Sequence, residues 1–398
     1  MKGKNLKKLS ILLSTALTLS VALTGCGSST SKSSSSNSGS TASKATTFKI
    51  GCNNYLKGIY SLDILEKNAN FAATSFGDNF AVVNDAGKTE QVIQNVQNLI
   101  SSGVKGIVFF GIVDTVFPVV AQKCQAAKVP FVLYDHIPSD ATMKTLKANP
   151  YFVGMVGEHD YDAGYPIGEY AAKAGLKKAI IITGKRGDTT HEARVKGFTD
   201  AFEKGGGKVI DVGWGCNTLS DGVQKADDLL TAHPDVDCIY GSNGDFGLGA
   251  LQALKKHTNV KAKMYITDLD PGVLTGLKSG DVAAANGAHW INASFATALL
   301  QNYLEGHKIK GSDGKAPVLT VPILVLPSNQ EDLYEKFWIN NQPFSADELK
   351  NLTYAFNKNV SLQTFQDTLK NYSIKSRLEQ KEKEGKVTAD ELKNVGIQ

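Results

Sequence analysis

Residues 89–110 read TEQVIQNVQNLISSGVKGIVFF, and residues 128–136 read KVPFVLYDH. In the first stretch Val92, Ile93, Val96, Leu99 and Ile100 fall at the i, i+3, i+4, i+7, i+8 spacing that lines one face of an α-helix, which predicts a helix over Thr89–Ser102. A turn at Gly103 leads into Gly106–Phe110, a short and wholly apolar run, and a second such run follows at Phe131–Tyr134. Apolar strands without alternation, separated by amphipathic helices, are the pattern of a parallel sheet covered on both faces.

Outward from this unit the alternation covers most of the chain. Further strands are expected at Phe48–Cys52, Phe80–Asn84, Phe152–Val156, Ala179–Thr183, Val209–Val212, Cys238–Tyr240, Met264–Thr267, Val282–Ala285 and Val318–Leu326. Helical periodicity recurs at Ala163–Ala174, Glu192–Lys204, Val223–Ala232, Phe246–Lys256 and Asn292–Leu304. That many strands exceed one comfortable sheet. The expected fold is therefore α/β, with two doubly wound parallel-sheet lobes.

The N-terminus carries an address. Met1–Lys8 is basic, Leu9–Leu23 is an apolar run too short to span a bilayer, and Leu23-Thr24-Gly25-Cys26 follows. This reads as a signal peptide over residues 1–25 with Cys26 as the lipidated residue of a bacterial lipoprotein. Residues 27–47 are nearly all Ser, Thr, Gly, Asn, Ala and Lys, a composition that buries no apolar surface and serves as a tether. Without residues 1–25 the chain holds 39 basic and 39 acidic residues, so charge offers no reason to expect a nucleic acid partner. Cys52, Cys124, Cys216 and Cys238 form no CxxC or zinc spacing. Free buried thiols are expected, with one or two disulfides as the alternative. Neither a metal nor a cofactor is expected.

In open parallel sheets ligands sit beyond the C-terminal strand ends. The polar residues there are Asn53, Asn54, Tyr55 and Tyr60; Asp114; Asp135 and His136; His191 and Arg194; Trp214 and Asn217; Asn243 and Asp245; Asp268 and Asp270; Asn286, His289 and Trp290. Carboxylates accept from neighbouring hydroxyls, Arg donates several directional bonds, Asn does both, and aromatic faces cover C–H surfaces. The set suits a polyhydroxylated ligand. Each residue alone is equally a turn former; their recurrence at strand ends gives the group its weight. Catalysis is not expected: there is no GxSxG, HExxH or P-loop, and the pairs His159–Asp160 and His191–Glu192 are neighbours that point apart on a helix.

Several stretches resemble the type 1 periplasmic solute-binding proteins, in the ribose- and sugar-binding branch. They are Asp85-Ala86-Gly87 with Gln91, Asn95 and Asn98-Leu99-Ile100; Gly103–Val108; Lys128–Asp135; the Arg-x-x-Gly-Phe element Arg194–Phe198; Leu229–Val236 running on to Asn243 and Gly247–Leu251; and Thr267-Asp268 with Pro271-Gly272. The resemblance covers roughly residues 48–328. It implies two lobes joined by three chain crossings, ligand held between them by hinge closure, and delivery to the permease and ATPase of an ABC transporter. It also implies a monomer anchored at the extracytoplasmic face of the cell membrane. Carried over by position, it implies ligand contacts from Asp135, Arg194, Asn243 and Asp268. His136 stands where ribose binders carry a second Arg. Asn217 stands where the family often stacks an aromatic ring. The N-terminal aromatic pair falls at Ile59 and Tyr60, with Tyr55 as the substitute ring. His289 is the expected contact from the last crossing, with Asn286 second. A sensor lipoprotein partnering a histidine kinase, or a binder of a nucleoside or furanone signal, would carry the same cleft.

The implied division is 48–156 plus 290–325 for the N-terminal lobe and 157–289 plus 326–345 for the C-terminal lobe, with a helical extension over 346–398. Ser345…Glu348 and Thr388…Glu391 read as helix-starting capping boxes, and Ser361 as the start of another helix. The extension is expected to pack on the second lobe, anchored by Phe337, Trp338, Phe344 and Phe356.

Overall fold

The computed structural model describes residues 46–111 and 113–397. The expected signal segment, Cys26 and nearly all of the tether lie outside the described residues.

The strands are β1 Lys49–Asn54, β2 Asn79–Asn84, β3 Gly106–Phe110, β4 Phe131–His136, β5 Phe152–Glu158, β6 Lys178–Ile182, β7 Lys208–Gly213, β8 Cys238–Gly241, β9 Lys263–Thr267, β10 Val282–Gly287, β11 Val318–Thr320 and β12 Leu324–Pro327. Ten longer helices or turns alternate with them: α1 Tyr60–Phe76, α2 Thr89–Ser101, α3 Val116–Ala127, α4 Asp140–Lys147, α5 Asp160–Lys173, α6 Thr189–Lys204, α7 Leu219–Ala232, α8 Gly244–Lys256, α9 Pro271–Ser279 and α10 Asn292–Leu304. One sheet runs β2-β1-β3-β4-β5-β11 and the other β7-β6-β8-β9-β10-β12. The first is parallel throughout; the second is parallel except for β12, which runs antiparallel to β10. Ile107, Val108 and Phe109 on β3 are fully buried, as a central strand covered on both faces requires. The expected α/β architecture of two wound lobes is the one observed.

The chain passes between the sheets after β5, after β10 and between β11 and β12. The expected single strand Val318–Leu326 is two strands in different sheets. Pro322 sits between them, and a residue without an N–H cannot continue a ladder. Strand β5 ends at Glu158, two residues beyond the expected Val156, and β4 at His136. Cys52, Cys124, Cys216 and Cys238 are free and buried.

Beyond β12 the chain forms α11 Glu331–Tyr334, a π-helical turn Glu335–Ile339, α12 Ala346–Lys350, α13 Leu362–Lys370, α14 Ile374–Lys383 and α15 Ala389–Asn394. Both expected capping boxes form, and Ser361 caps α13. The expected docking on the second lobe is corrected to docking on both lobes. The first part of the extension meets the second lobe through α9, β10, β12 and the Lys278–Asp332 ion pair, and Tyr372 donates to the Ala288 carbonyl after β10. The rest packs on α1 and α10, which cover the first sheet: Phe344 and Phe365 meet the Phe295 ring, and Asn302 Nδ2 donates to the Leu352 carbonyl. Phe337, Trp338 and Phe344 are buried, but Phe356 is 49 % exposed, so it is not an anchor.

Candidate functional site

Asp135 is the penultimate residue of β4 and Asp268 follows β9, and these strands hold the same fourth place in the two sheets. Both aspartates have left-handed backbone, φ 73° and 83°. A non-glycine residue enters that region at a cost of about 1–3 kcal/mol, which persists where the surrounding structure over-determines it. The two strand ends thus turn a carboxylate off the sheet at equivalent positions.

Arg194 reaches Asp268 from α6. Its Nε donates to Asp160 Oδ1 (3.2 Å), its Nη1 donates to the Ser242 carbonyl (3.0 Å), and Nη1 lies 3.8 Å from Asp268 Oδ2. Burial opposes the guanidinium charge, but Asp268 and Asp160 outweigh it and hold the group ionised. The position of Arg194 is set by the helix pair α5 and α6. A Cβ on Gly197 would fall 2.1 Å from the Tyr161 carbonyl, and one on Gly164 would fall 2.0 Å from the Arg194 carbonyl. Only glycine lets the two backbones approach this closely. Buried Thr267 and Asn286 then tie α5 to the sheet by donating to the Ala163 carbonyl (3.2 and 2.6 Å).

On the first lobe, Asn292 Nδ2 donates to Asp135 Oδ1 (2.9 Å) and Glu158 Oε2 (3.1 Å). His289 Nε2 lies 4.0 Å from Asp135 and 3.8 Å from Glu158. Burial raises the Asp135 and Glu158 carboxyls above their ordinary range, and for Glu158 the neighbouring Asp135 adds to it. Burial lowers His289, against the pull of Asp135 and Asp268. Side-chain exposures of 9–26 % across Asp135, Glu158, Asp160, Arg194, Asp268 and His289 leave them largely buried yet still open to solvent.

Asp135, Arg194, Asp268 and His289 are therefore brought together. His136 ends β4 beside Asp135 and acts electrostatically on it. Asn243 caps α8, accepting from the Phe246 N–H (2.9 Å), next to the Ser242 carbonyl that holds Arg194. Tyr60 starts α1, meets the Trp290 ring edge-on at 5.8 Å, and has a buried hydroxyl without a partner; burial, with Asp270 and Glu335 adding, pushes it up to about 12. Two residues are placed otherwise. The Tyr55 hydroxyl donates to the Gly87 carbonyl (2.9 Å) within the first lobe. The exposed Asn217 side chain donates to the Gly215 carbonyl (3.3 Å) in the turn before α7.

Glu158, Asp160 and Asn292 join the cluster from beyond the expected set, and His191 joins from within it. His191 Nδ1 lies 3.0 Å from Ser242 Oγ, and its ring lies 5.3 Å from the Phe246 ring, tilted by 43°. His159 and Asp160 do part company, as neighbours must: His159 faces Thr320, but Asp160 opens α5 and meets Arg194. Glu158 and Asp160 follow the expected end of β5 at Val156 by two and four residues, so the rule that polar residues follow strand ends is the signal that finds them. Among the described residues Asp135, Glu158 and His289 also place ligand atoms within 4.8 Å of one another, as do Glu331, Asp332 and Glu335. In the first group the Asn292 amide already donates to both carboxylates. The cluster as a whole offers acceptors in excess, one fixed cation and buried imidazole, a surface for a ligand rich in hydrogen-bond donors.

The family described as the periplasmic binding protein domain matches residues 40–308. A D-ribose/D-allose-binding protein of Pseudomonas aeruginosa is 27 % identical over 198 residues, covering 48 % of this chain and 61 % of its own length. A xylitol-binding protein of Mycolicibacterium smegmatis is 25 % identical over 330 residues, 80 % of this chain and 85 % of its own. The crystal structure of a periplasmic ribose ABC transporter from Conexibacter woesei superimposes with a TM-score of 0.63 at 19 % identity, covering 74 % of this chain and 96 % of that one, a likeness of fold. With two wound lobes, three crossings and paired strand-end aspartates at the crevice, the chain belongs to the type 1 periplasmic binding proteins, in their ribose- and sugar-binding branch, a family of binding proteins and not of enzymes.

Proposed function

We propose that this chain is the extracytoplasmic capture component of an ABC importer, that it is lipid-anchored through Cys26, and that it closes its lobes on a small polyhydroxylated ligand, a sugar or polyol. The observation that carries the reading is the pair Asp135 and Asp268, held in left-handed backbone at equivalent strand ends with Arg194 against the second. Relatives named for ribose, allose and xylitol support the hydroxyl-rich class. Asp135, His136 and Tyr60 would meet the ligand from the first lobe, Arg194, Asn243 and Asp268 from the second, and His289 from a crossing.

Hinge closure follows from differential affinity. A ligand bonded to one lobe's carboxylate gains the second set of bonds only when the lobes approach, so it stabilises the closed form by that difference. The test is a thermal-shift panel of pentoses, hexoses, polyols, inositols and nucleosides on protein stripped of co-purified ligand. A ligand at 100 times its Kd adds about 2.7 kcal/mol, a rise of a few degrees. Arg194→Ala is expected to weaken the binding of any hit by ~2 kcal/mol or more, because it removes a charged donor from a desolvated site. A nucleoside hit, or unchanged affinity in the variant, would overturn the reading. The anchor is tested separately: Cys26→Ala should move the protein from the membrane fraction to the soluble one with ligand affinity intact, and retention on membranes would count against lipidation.

A further inference from the structure

The charges of the cleft are unevenly served. Arg194 answers Asp160 and Asp268 together. Asp135 and Glu158, on adjacent strand ends, form no ion pair with Lys or Arg among the described residues; they share the Asn292 amide and face the His289 ring at 4.0 and 3.8 Å. On the same wall two fully or nearly buried side chains, Asn292 and His289, keep Oδ1 and Nδ1 without any hydrogen-bond partner. Two carboxylates therefore meet at one spot, where the Asn292 amide is the one group that donates to both and the His289 Nε2 stands 4.0 and 3.8 Å away.

We infer that the cleft is built for a polyhydroxylated ligand bearing a protonated amine, an amino sugar or amino polyol, whose ammonium lies against Asp135 and Glu158. This rests on the proposed capture of a hydroxyl-rich ligand. One ammonium brings three N–H donors and a positive charge, which answers both acids at once. A hydroxyl in its place would supply one donor and leave two like charges facing each other in a site of low dielectric. A phosphorylated or carboxylated sugar would add a further negative charge to this wall. Burial, with Asp135 adding to it, holds the Glu158 carboxyl above its ordinary range, and a cation beside it would favour the ionised form.

The experiment is titration calorimetry at pH 7 with matched pairs: D-glucosamine against D-glucose, D-galactosamine against D-galactose, and 1-amino-1-deoxy-D-sorbitol against D-sorbitol, with the N-acetyl hexosamines as uncharged controls. At least one aminated member is expected to bind tenfold or more tightly than its hydroxyl partner and than its N-acetyl form. In Glu158→Gln that ratio should collapse toward one. The wild-type ratio stands without the variant, should the variant fold poorly. Hydroxyl members binding as well as or better than aminated ones would overturn the inference and leave the sugar reading in place. Tight binding of Zn²⁺ or Ca²⁺ alone, lost in Glu158→Gln, would overturn it in favour of a metal on the same wall. Binding of a nucleoside with no response to any pair would overturn both.

Discussion

Asp78 shows how a single buried carboxyl sets a pH dependence away from the cleft. Its Oδ1 accepts the Phe48 N–H at 2.8 Å, where β1 begins, and its Oδ2 has no partner. Burial raises it to about 6, the Phe48 bond lowering it and Glu305 raising it further. The native state thus holds this proton more tightly than the unfolded chain, so stability from Asp78 declines as pH rises from about 4 through about 6. Asp78→Asn keeps the acceptor and removes the charge. Urea denaturation should find the variant more stable than the parent at pH 8 and little different at pH 4.5; equal curves at both pH values would show that the carboxyl is not strained by burial. At this same scale, Asp135 and Asp268 were legible in the sequence because each stands at a strand end, and Arg194 through the Arg-x-x-Gly-Phe element on α6. Glu158 and Asp160 were not named, although both closely follow the end of the apolar run at Val156, because their spacing alone does not distinguish a turn from a site. Asn292 was hidden more deeply: it lies on a helix, and only the crossing after β10 brings it to two carboxylates more than 130 residues earlier in the chain.

At the scale of elements, the parallel strands were readable because each is an apolar run with little else to be. The break at Pro322 was less so: residues 318–327 are apolar almost throughout, and the period of the pattern is indifferent to which sheet a strand joins. The α5–α6 pair carries the clearest consequence. Gly197 lies against the Tyr161 carbonyl and the Tyr165 N–H, both backbone and neither able to yield cheaply. Gly197→Ala should force the helices apart, cost about 1–3 kcal/mol in denaturant unfolding as overpacking does, and lengthen the reach from Arg194 to Asp160. Ligand affinity should fall although residue 197 touches no ligand. Loss of stability with full affinity would mean that Arg194 is positioned by the Ser242 carbonyl and not by α5.

Over the whole molecule, what the sequence left unread is the path of the C-terminal extension. Its capping boxes and aromatic residues announce helices, but capping is local and names no docking surface. In the fold, Asp332 pairs with Lys278 on the second lobe, Lys67 of α1 on the first donates to the Ile339 carbonyl, and the Trp338 indole donates to the Tyr372 hydroxyl (2.8 Å). The Tyr372 hydroxyl in turn donates to the carbonyl of Ala288 (2.6 Å), in the crossing itself. An element bonded to both halves and to the pivot shares one free-energy balance with the rotation of the lobes. By reciprocity, whatever ligand shifts that rotation also shifts the local opening of the element. Amide hydrogen exchange over Glu331–Ile339 and Ile374–Lys383 should therefore change when ligand is added, although these residues stand apart from the carboxylates that would hold it. Unchanged exchange would make the extension a passenger on the first lobe; a changed rate would make it a gauge of occupancy.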